Sequence, residues 1–197
     1  MAYTGCAAAV AANIVPDCAN PIVGGFTGRA ILFPLDKNPS FTFSATNDHI
    51  IEAITIGGTD KFIAIDNANL ATPFDGSNEQ SNGDTGRFLF TKNATLRVPD
   101  RGAKVSKEII EPLTQSALGF VGVFEMKDRK GLGSFKVVGA QQGLKPVADG
   151  ITRNESENGG DIVVNMSCTE PWFELDLFDT DYATTLALFE TYFANNM

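Results

Sequence analysis

The stretch FVGVFEMKDRKGLGSFKVVGA, residues 120–140, predicts a β-hairpin. Residues 120–128 and 133–140 are rich in Val and Phe, which favour strands. The segment RKGLG between them supplies the glycines of a tight turn. Because a short turn joins antiparallel strands, this stretch favours an antiparallel sheet.

A helical pattern precedes this hairpin in residues 103–119. Ser106 is a candidate N-cap, Gly119 is a candidate C-terminal cap, and Pro112 should make the helix irregular. Its apolar face is formed by Ile109, Leu113 and Ala117. The sequence therefore predicts one helix in the middle of a strand-rich chain.

The C-terminal segment TDYATTLALFETYFANNM predicts a second helix, with Thr180 or Asp181 as its cap. Asp176, Asp179 and Asp181 resemble a calcium loop only weakly, and acids at a helix N-terminus favour the helix dipole. The residues expected to pack this helix against the sheet are Tyr182, Leu186, Phe189 and Phe193.

Strand-like runs occupy most of the remaining chain. Two of them, residues 50–56 and 60–67, are separated by a short turn and predict a hairpin. The others are residues 26–34, 41–45, 87–98, 161–168 and 172–179. Because strands and helices do not alternate regularly, the fold class predicted is α+β and mainly antiparallel β, either a sandwich or a barrel, with a central helix and a C-terminal helix.

Two polar segments flank or interrupt the strands. Residues 1–20 predict an N-terminal arm rather than a signal peptide, since no basic region begins them, and residues 21–197 predict a single β-rich domain. Residues 72–87 predict a long exposed loop, because almost none of them is apolar. Its candidate assembly residues are Asp75, Gly76, Asn78, Asn82, Gly83 and Asp84.

Composition argues against several classes of function. The formal net charge of −9 disfavours a protein that grips nucleic acid, which needs clustered Lys and Arg. No run approaches the roughly 18 apolar residues of a transmembrane helix, so no membrane insertion is expected. Most of the 15 phenylalanines should be buried in a core or between subunits.

The sequence offers little catalytic chemistry. His49 is the only histidine, so neither a conventional catalytic triad nor a His-rich metal site is expected. Cys6, Cys18 and Cys168 have no metal-site spacing; we expect reduced thiols, with a Cys6–Cys18 bridge as the alternative. The segment VGGFTGR lacks the Lys of a phosphate-binding loop. No enzyme activity, cofactor or metal is predicted.

Two regions resemble small structural proteins of tailed bacteriophages, of the tail-tube kind. The first is DCANPIVGGFTGRAILFPLD, residues 17–36, in which Cys18, Gly24 and Gly25 precede the first strand. The second runs from SKEIIEPLTQSALGFVGVFEMKD through the hairpin to LFDTDYATTLALFETYF. Together these regions cover over half of the chain.

The resemblance implies a virion protein of the tail, assembled in the host cytoplasm. Its subunits would form rings, commonly hexameric, that stack into a tube through which DNA passes during ejection. Partners would be other copies of the chain, with tail sheath, baseplate or connector proteins as further ones. Cys18, Gly24 and Gly25 would then lie at a subunit contact. The alternatives are a head–tail connector, a tail terminator, a baseplate-hub ring or a secreted β-sandwich binding module.

A tube for DNA would need a lumen that does not hold phosphates, so we expect an acidic or neutral wall. Alternate side chains of a strand share one face, and a lumen would receive every second residue. The candidate lumen acids are Glu52, Asp60 and Asp66, with Glu125 and Asp128 as further candidates.

Overall fold

A computed structural model gives the architecture of most of the chain. It describes residues 25–57, 62–66, 79–82, 88–98, 102–152 and 161–194. The strands are β1 (Phe26–Pro34), β2 (Ser40–Phe43), β3 (Ile50–Thr55), β4 (Ile63–Asp66), β5 (Glu79–Asn82), β6 (Phe88–Val98), β7 (Phe120–Met126), β8 (Phe135–Val138), β9 (Lys145–Thr152), β10 (Ile162–Glu170) and β11 (Leu175–Leu177). The α-helices are α1 (Ala103–Val105), α2 (Glu111–Gln115) and α3 (Tyr182–Ala194), and a 3-10 turn (Leu35–Lys37) follows β1.

The strands form two sheets. The seven-stranded sheet has the order β2-β3-β11-β8-β7-β1-β4, and the four-stranded sheet has the order β5-β6-β10-β9. Every pair is antiparallel except β3 with β11. The predicted α+β, mainly antiparallel fold is confirmed, and the sheets do not close into a barrel.

Two apolar clusters cover the two faces of the seven-stranded sheet. The first lies between the sheets and includes Leu32 and Phe124 from one sheet and Leu96 and Val164 from the other. The second lies under α3 and includes Phe33 and Phe189. The order of layers is therefore four-stranded sheet, seven-stranded sheet and terminal helix.

The β7–β8 hairpin lies inside the seven-stranded sheet, and its composition explains why. The first six residues of β7, from Phe120 to Glu125, are all buried, because one face meets the other sheet and the opposite face meets α3. A strand covered on both sides is expected to be a nearly continuous apolar run rather than an alternating one. β8 pairs with β7 as predicted, from Gly122 opposite Val138 to Glu125 opposite Phe135.

The central helix begins and ends earlier than the sequence predicts. It starts after Gly102, and Ser106 lies within it rather than at its N-cap. It ends at Gln115, so Gly119 is not its cap. The turn Ser106–Ile110 between α1 and α2 is π-helical, and the N–H of Glu111 donates to the carbonyl of Ser106. Since Pro112 has no N–H and its ring crowds the preceding turn, the irregularity predicted there is confirmed.

Two predictions about strands are wrong. β3 and β4 do not form a hairpin: β3 pairs with β2 and β11, whereas β4 pairs with β1 at the far edge of the sheet. The spacing of two apolar runs cannot identify partners when longer-range pairing buries more surface. Residues 79–82, inside the predicted exposed loop, form β5 and pair with β6.

Candidate functional site

The outer face of β6 and β10 in the four-stranded sheet carries mainly polar side chains. On β6 and β10, alternate residues point into the core, among them Ala94, Leu96, Val164 and Met166. The intervening residues therefore point outward. We call this set the outer ladder: Thr91, Asn93, Thr95, Arg97, Asn165, Ser167 and Thr169, all half-buried, whereas Val163 in the same phase is buried.

Short polar side chains face one another across the outer ladder. Thr95 Oγ1 donates to Asn165 Oδ1 at 2.9 Å, and the hydroxyl oxygens of Thr91 and Thr169 lie 3.4 Å apart. Asn93 is the register partner of Ser167. Such cross-strand pairs stabilise a sheet without an apolar layer above it.

The outer ladder carries positive rather than negative charge. Arg97 stands opposite Val163, and Lys145 of β9 stands opposite Ser167. No residue of the ladder is acidic, although Glu79 of β5 is the register partner of Thr91. Most of the chain's 24 acidic residues therefore lie elsewhere.

A buried ion pair lies on the opposite side of the same two strands. Lys92 Nζ is 2.8 Å from Glu170 Oε2, and both side chains are fully buried. Glu170 also accepts the N–H of Gly139 at 3.1 Å and that of Gln141 at 2.8 Å. The carboxylate therefore fastens the four-stranded sheet to the turn after β8 of the other sheet.

Gly139 is required in that turn. Its φ is +83°, and a Cβ there would lie 2.6 Å from the carbonyl oxygen of Phe120. Glycine alone adopts this conformation readily and leaves room for the strand beside it. The N–H that reaches Glu170 thus depends on a glycine at this position.

A second charged cluster joins α3 to the seven-stranded sheet. Arg29 Nε is 2.7 Å from Glu125 Oε2, and Arg29 Nη1 is 2.6 Å from Glu190 of α3. Thr27 donates its hydroxyl to the same Glu125 oxygen at 2.7 Å. The guanidinium carbon also lies 5.2 Å from the ring centre of Phe189, a cation–π distance.

These contacts shift the pKa values of both Arg29 and Glu125. Hydrogen bonding to Glu125 raises the pKa of Arg29, so it stays charged. Burial disfavours the ionised form of Glu125, but hydrogen bonds from Arg29 and Thr27 outweigh it and lower the pKa of this carboxyl. The pair is therefore charged at neutral pH and orients α3.

The predicted packing residues of the terminal helix lie where expected. Phe189 is fully buried, while Tyr182, Leu186 and Phe193 are half-buried against the same cluster. Asp181 caps the helix, since its carboxylate accepts the N–H of Thr184 at 2.7 Å. These hydrogen bonds lower the pKa of Asp181, in keeping with an acid at a helix N-terminus.

The candidate lumen acids do not form one surface. Glu52 is half-buried on β3, and Asp66 is exposed on β4, with four strands between theirs. Glu125 is 1% exposed and lies beneath α3, so its assignment to a lumen is wrong. Asp128 is half-buried after β7, and Asp60 lies outside the described residues.

Most of the predicted assembly loop and N-terminal contact cannot be placed. Asp75, Gly76, Asn78, Gly83, Asp84, Cys18 and Gly24 lie outside the described residues. Asn82 ends β5 opposite Phe88. Gly25 has a φ of +102°, and its carbonyl accepts the N–H of Lys127 at 2.8 Å, which joins the start of β1 to the end of β7.

The described residues carry little reactive chemistry. His49 is exposed, and its Nδ1 lies 2.7 Å from Asp48 Oδ1. Cys168 is a buried free thiol, and burial raises its pKa to about 12, so the thiol stays neutral. No group of three His, Cys, Asp or Glu side chains in this part of the chain could hold a metal ion.

Sequence reasoning missed the Lys92–Glu170 pair, although the signal was present. Lys92 falls in phase with the core-facing Ala94 and Leu96, and Glu170 falls in phase with Met166 and Cys168. Two opposite charges at inward positions of two strands predict a buried pair if those strands are neighbours. The pairing of β6 with β10 supplies that missing condition.

Comparisons with known proteins found no matching family model, no matching curated protein and no matching solved structure. In the described part of the chain, no helix is long and apolar enough to cross a membrane.

Proposed function

We propose that this chain is a structural subunit of a bacteriophage tail tube, in which the outer ladder faces the lumen. The observation that carries the proposal is the contrast between the sheets. The seven-stranded sheet has an apolar cluster on each face, whereas the four-stranded sheet has an apolar face and a face of short polar side chains. Most of this face can hydrogen-bond water, although Val147 of β9 is 40% exposed.

The edges of the four-stranded sheet support the same arrangement. Within the described residues, β5 pairs only with β6, and β9 pairs only with β10. Sheet edges left unpaired attract other strands, and closure into a ring removes them. Copies joined from β5 of one to β9 of the next would form a continuous cylinder around the lumen.

The charges refine the expectation of an acidic wall. The outer ladder is uncharged apart from Arg97, with Lys145 beside it on β9. Hydroxyl and amide groups hydrogen-bond phosphates weakly compared with clustered cations. Among the described residues the proposed wall is thus close to neutral, with Arg97 and Lys145 as its cations.

Electron microscopy of the purified protein tests the proposal. A tube subunit forms tubes of uniform diameter, and a connector, terminator or hub protein stops at single rings. A binding module remains monomeric across the concentration range. Tubes whose subunits turn α3 toward the axis would also contradict the proposal, because the outer ladder would then face outward.

A further inference from the structure

The β7–β8 hairpin ends in an apolar tip surrounded by positive charge. Leu132 is 57% exposed, although it is a large apolar side chain. Lys127, Arg129 and Lys130 precede it and are all exposed, whereas Asp128 is half-buried. This local charge stands out in a chain whose formal net charge is −9.

The hairpin tip is ordered by its own hydrogen bonds. Ser134 Oγ donates to the carbonyl of Gly131 at 2.7 Å and accepts the N–H of the same residue at 3.2 Å. Gly131 and Gly133 both have positive φ, at 144° and 91°. Leu132 therefore lies within a hydrogen-bonded turn, and a turn that is formed before binding lowers the entropy cost of binding.

An apolar cavity lies at the opposite end of β7. Its volume is about 890 Å³, and it extends from Phe120, the first residue of β7, along the edge strand β4. Its apolar lining includes Ile63 and Ile109. Its charged lining is mainly acidic, with Asp36, Asp66 and Glu108 against Lys37.

We propose that the Leu132 hairpin of one copy docks into this cavity of the next copy. The tip offers Leu132 with exposed Lys127 and Lys130 beside it, and the cavity offers apolar walls and a mainly acidic lining, so the two surfaces are complementary in charge. A small exposed apolar anchor within a polar rim is typical of an energetically dominant interface residue.

The position of the two surfaces determines the geometry of assembly. They lie at opposite ends of one strand, so the contact can repeat head to tail from one copy to the next. Head-to-tail contacts of this kind continue into rings or filaments. The inference rests on the proposed function and gives it a contact that stacks one ring on the next.

Sedimentation and electron microscopy of matched variants test the contact. Leu132→Ala should raise the protein concentration needed for stacking at least about tenfold, the loss typical of a central interface side chain. Phe43→Ala is the control, because Phe43 is 47% exposed but belongs to β2, away from both surfaces. Since Leu132 and Phe43 are both exposed, the thermal midpoints of these variants should not change.

Charge reversal makes the test specific. Lys130→Glu and Glu108→Lys should each weaken stacking, and the double variant should recover most of it because the pair is restored with opposite sign. If the single variants stack like the wild type, the contact is overturned while the tube function stands. A wild-type chain that stays monomeric would overturn both the contact and the tube function.

Discussion

The two sheets of this protein bury their side chains differently, and the difference predicts which substitutions destabilise the subunit. The seven-stranded sheet contains β7, which is covered by the other sheet on one side and by α3 on the other. The four-stranded sheet has the outer ladder on one side and a core with a buried ion pair on the other. Substitutions under α3 and between the sheets should therefore destabilise the subunit, while substitutions on the outer ladder should leave it folded.

The largest effect is expected at Phe189, which is fully buried under α3. Phe189→Ala should cost about 4–5 kcal/mol, near the upper end for such truncations, because the cation–π contact with Arg29 is lost too. In a chain of this size the thermal midpoint should fall by about 8–20 °C. Scanning calorimetry measures it, and an unchanged midpoint would show that α3 does not close this face.

A slightly smaller loss is expected for the buried ion pair. Lys92→Met leaves the Glu170 charge unpaired and should cost about 3–4 kcal/mol, since two backbone N–H groups still bind the carboxylate. Adding Glu170→Gln should recover only part of this loss, because it removes the unpaired charge but its one amide oxygen accepts only one of the two N–H groups, which bind different carboxylate oxygens. Denaturant unfolding of both variants measures the coupling. If Lys92→Met and the double variant were equally stable, an unpaired buried charge on Glu170 would not be the cause of the loss.

The Arg29–Glu125 cluster should make the free energy of unfolding depend on pH in the acidic range. The pKa of Glu125 is lower in the folded chain than in the unfolded one. The stability that ionised Glu125 adds to the folded chain is therefore fully present at pH values above its unfolded pKa of about 4.3. This stability is lost as the pH falls through the lower pKa of the folded chain. Glu125→Gln should flatten this part of the stability profile, measured by unfolding at several pH values. An unchanged profile would place the acid sensitivity at other carboxylates.

The smallest effect is expected on the outer ladder. Thr95→Ala removes one half-exposed hydrogen bond to Asn165 and should cost less than about 1 kcal/mol. Its unfolding midpoint can be compared directly with that of Lys92→Met on the opposite face of the same strand. A loss as large as that of Lys92→Met would remove the distinction between the two faces.

Local patterns in the sequence predicted the elements better than the pairing of strands. The β7–β8 hairpin, the break at Pro112 and the stripe containing Phe189 each follow from spacing and residue type within a short window. The parallel pairing of β3 with β11 depends on residues more than a hundred positions apart. Many pairings bury similar apolar area, so strand periodicity alone does not choose among them.

The proposed lumen surface is not the one that the sequence predicted. A lumen-facing sheet was expected, yet the sequence pointed to Glu52 and Asp66 of the seven-stranded sheet. In β6, every second residue from Thr91 to Arg97 is polar, which marks one face as solvated. The same alternation places Lys92 on the inward face of β6. Its charge is tolerated there because Glu170 of the neighbouring strand β10 pairs with it.

Cysteine labelling tests most directly whether the outer ladder lines a lumen. Ser167→Cys and Thr191→Cys, introduced separately into a Cys6→Ser/Cys18→Ser chain, place a thiol on the outer ladder and on the exposed side of α3. In tubes, the thiol at position 167 should react with a small maleimide but not with a polymer-linked one, while that at 191 should react with both. In dissociated subunits both positions should react with both reagents. Polymer labelling at position 167 of intact tubes, equal to that at 191, would contradict the account.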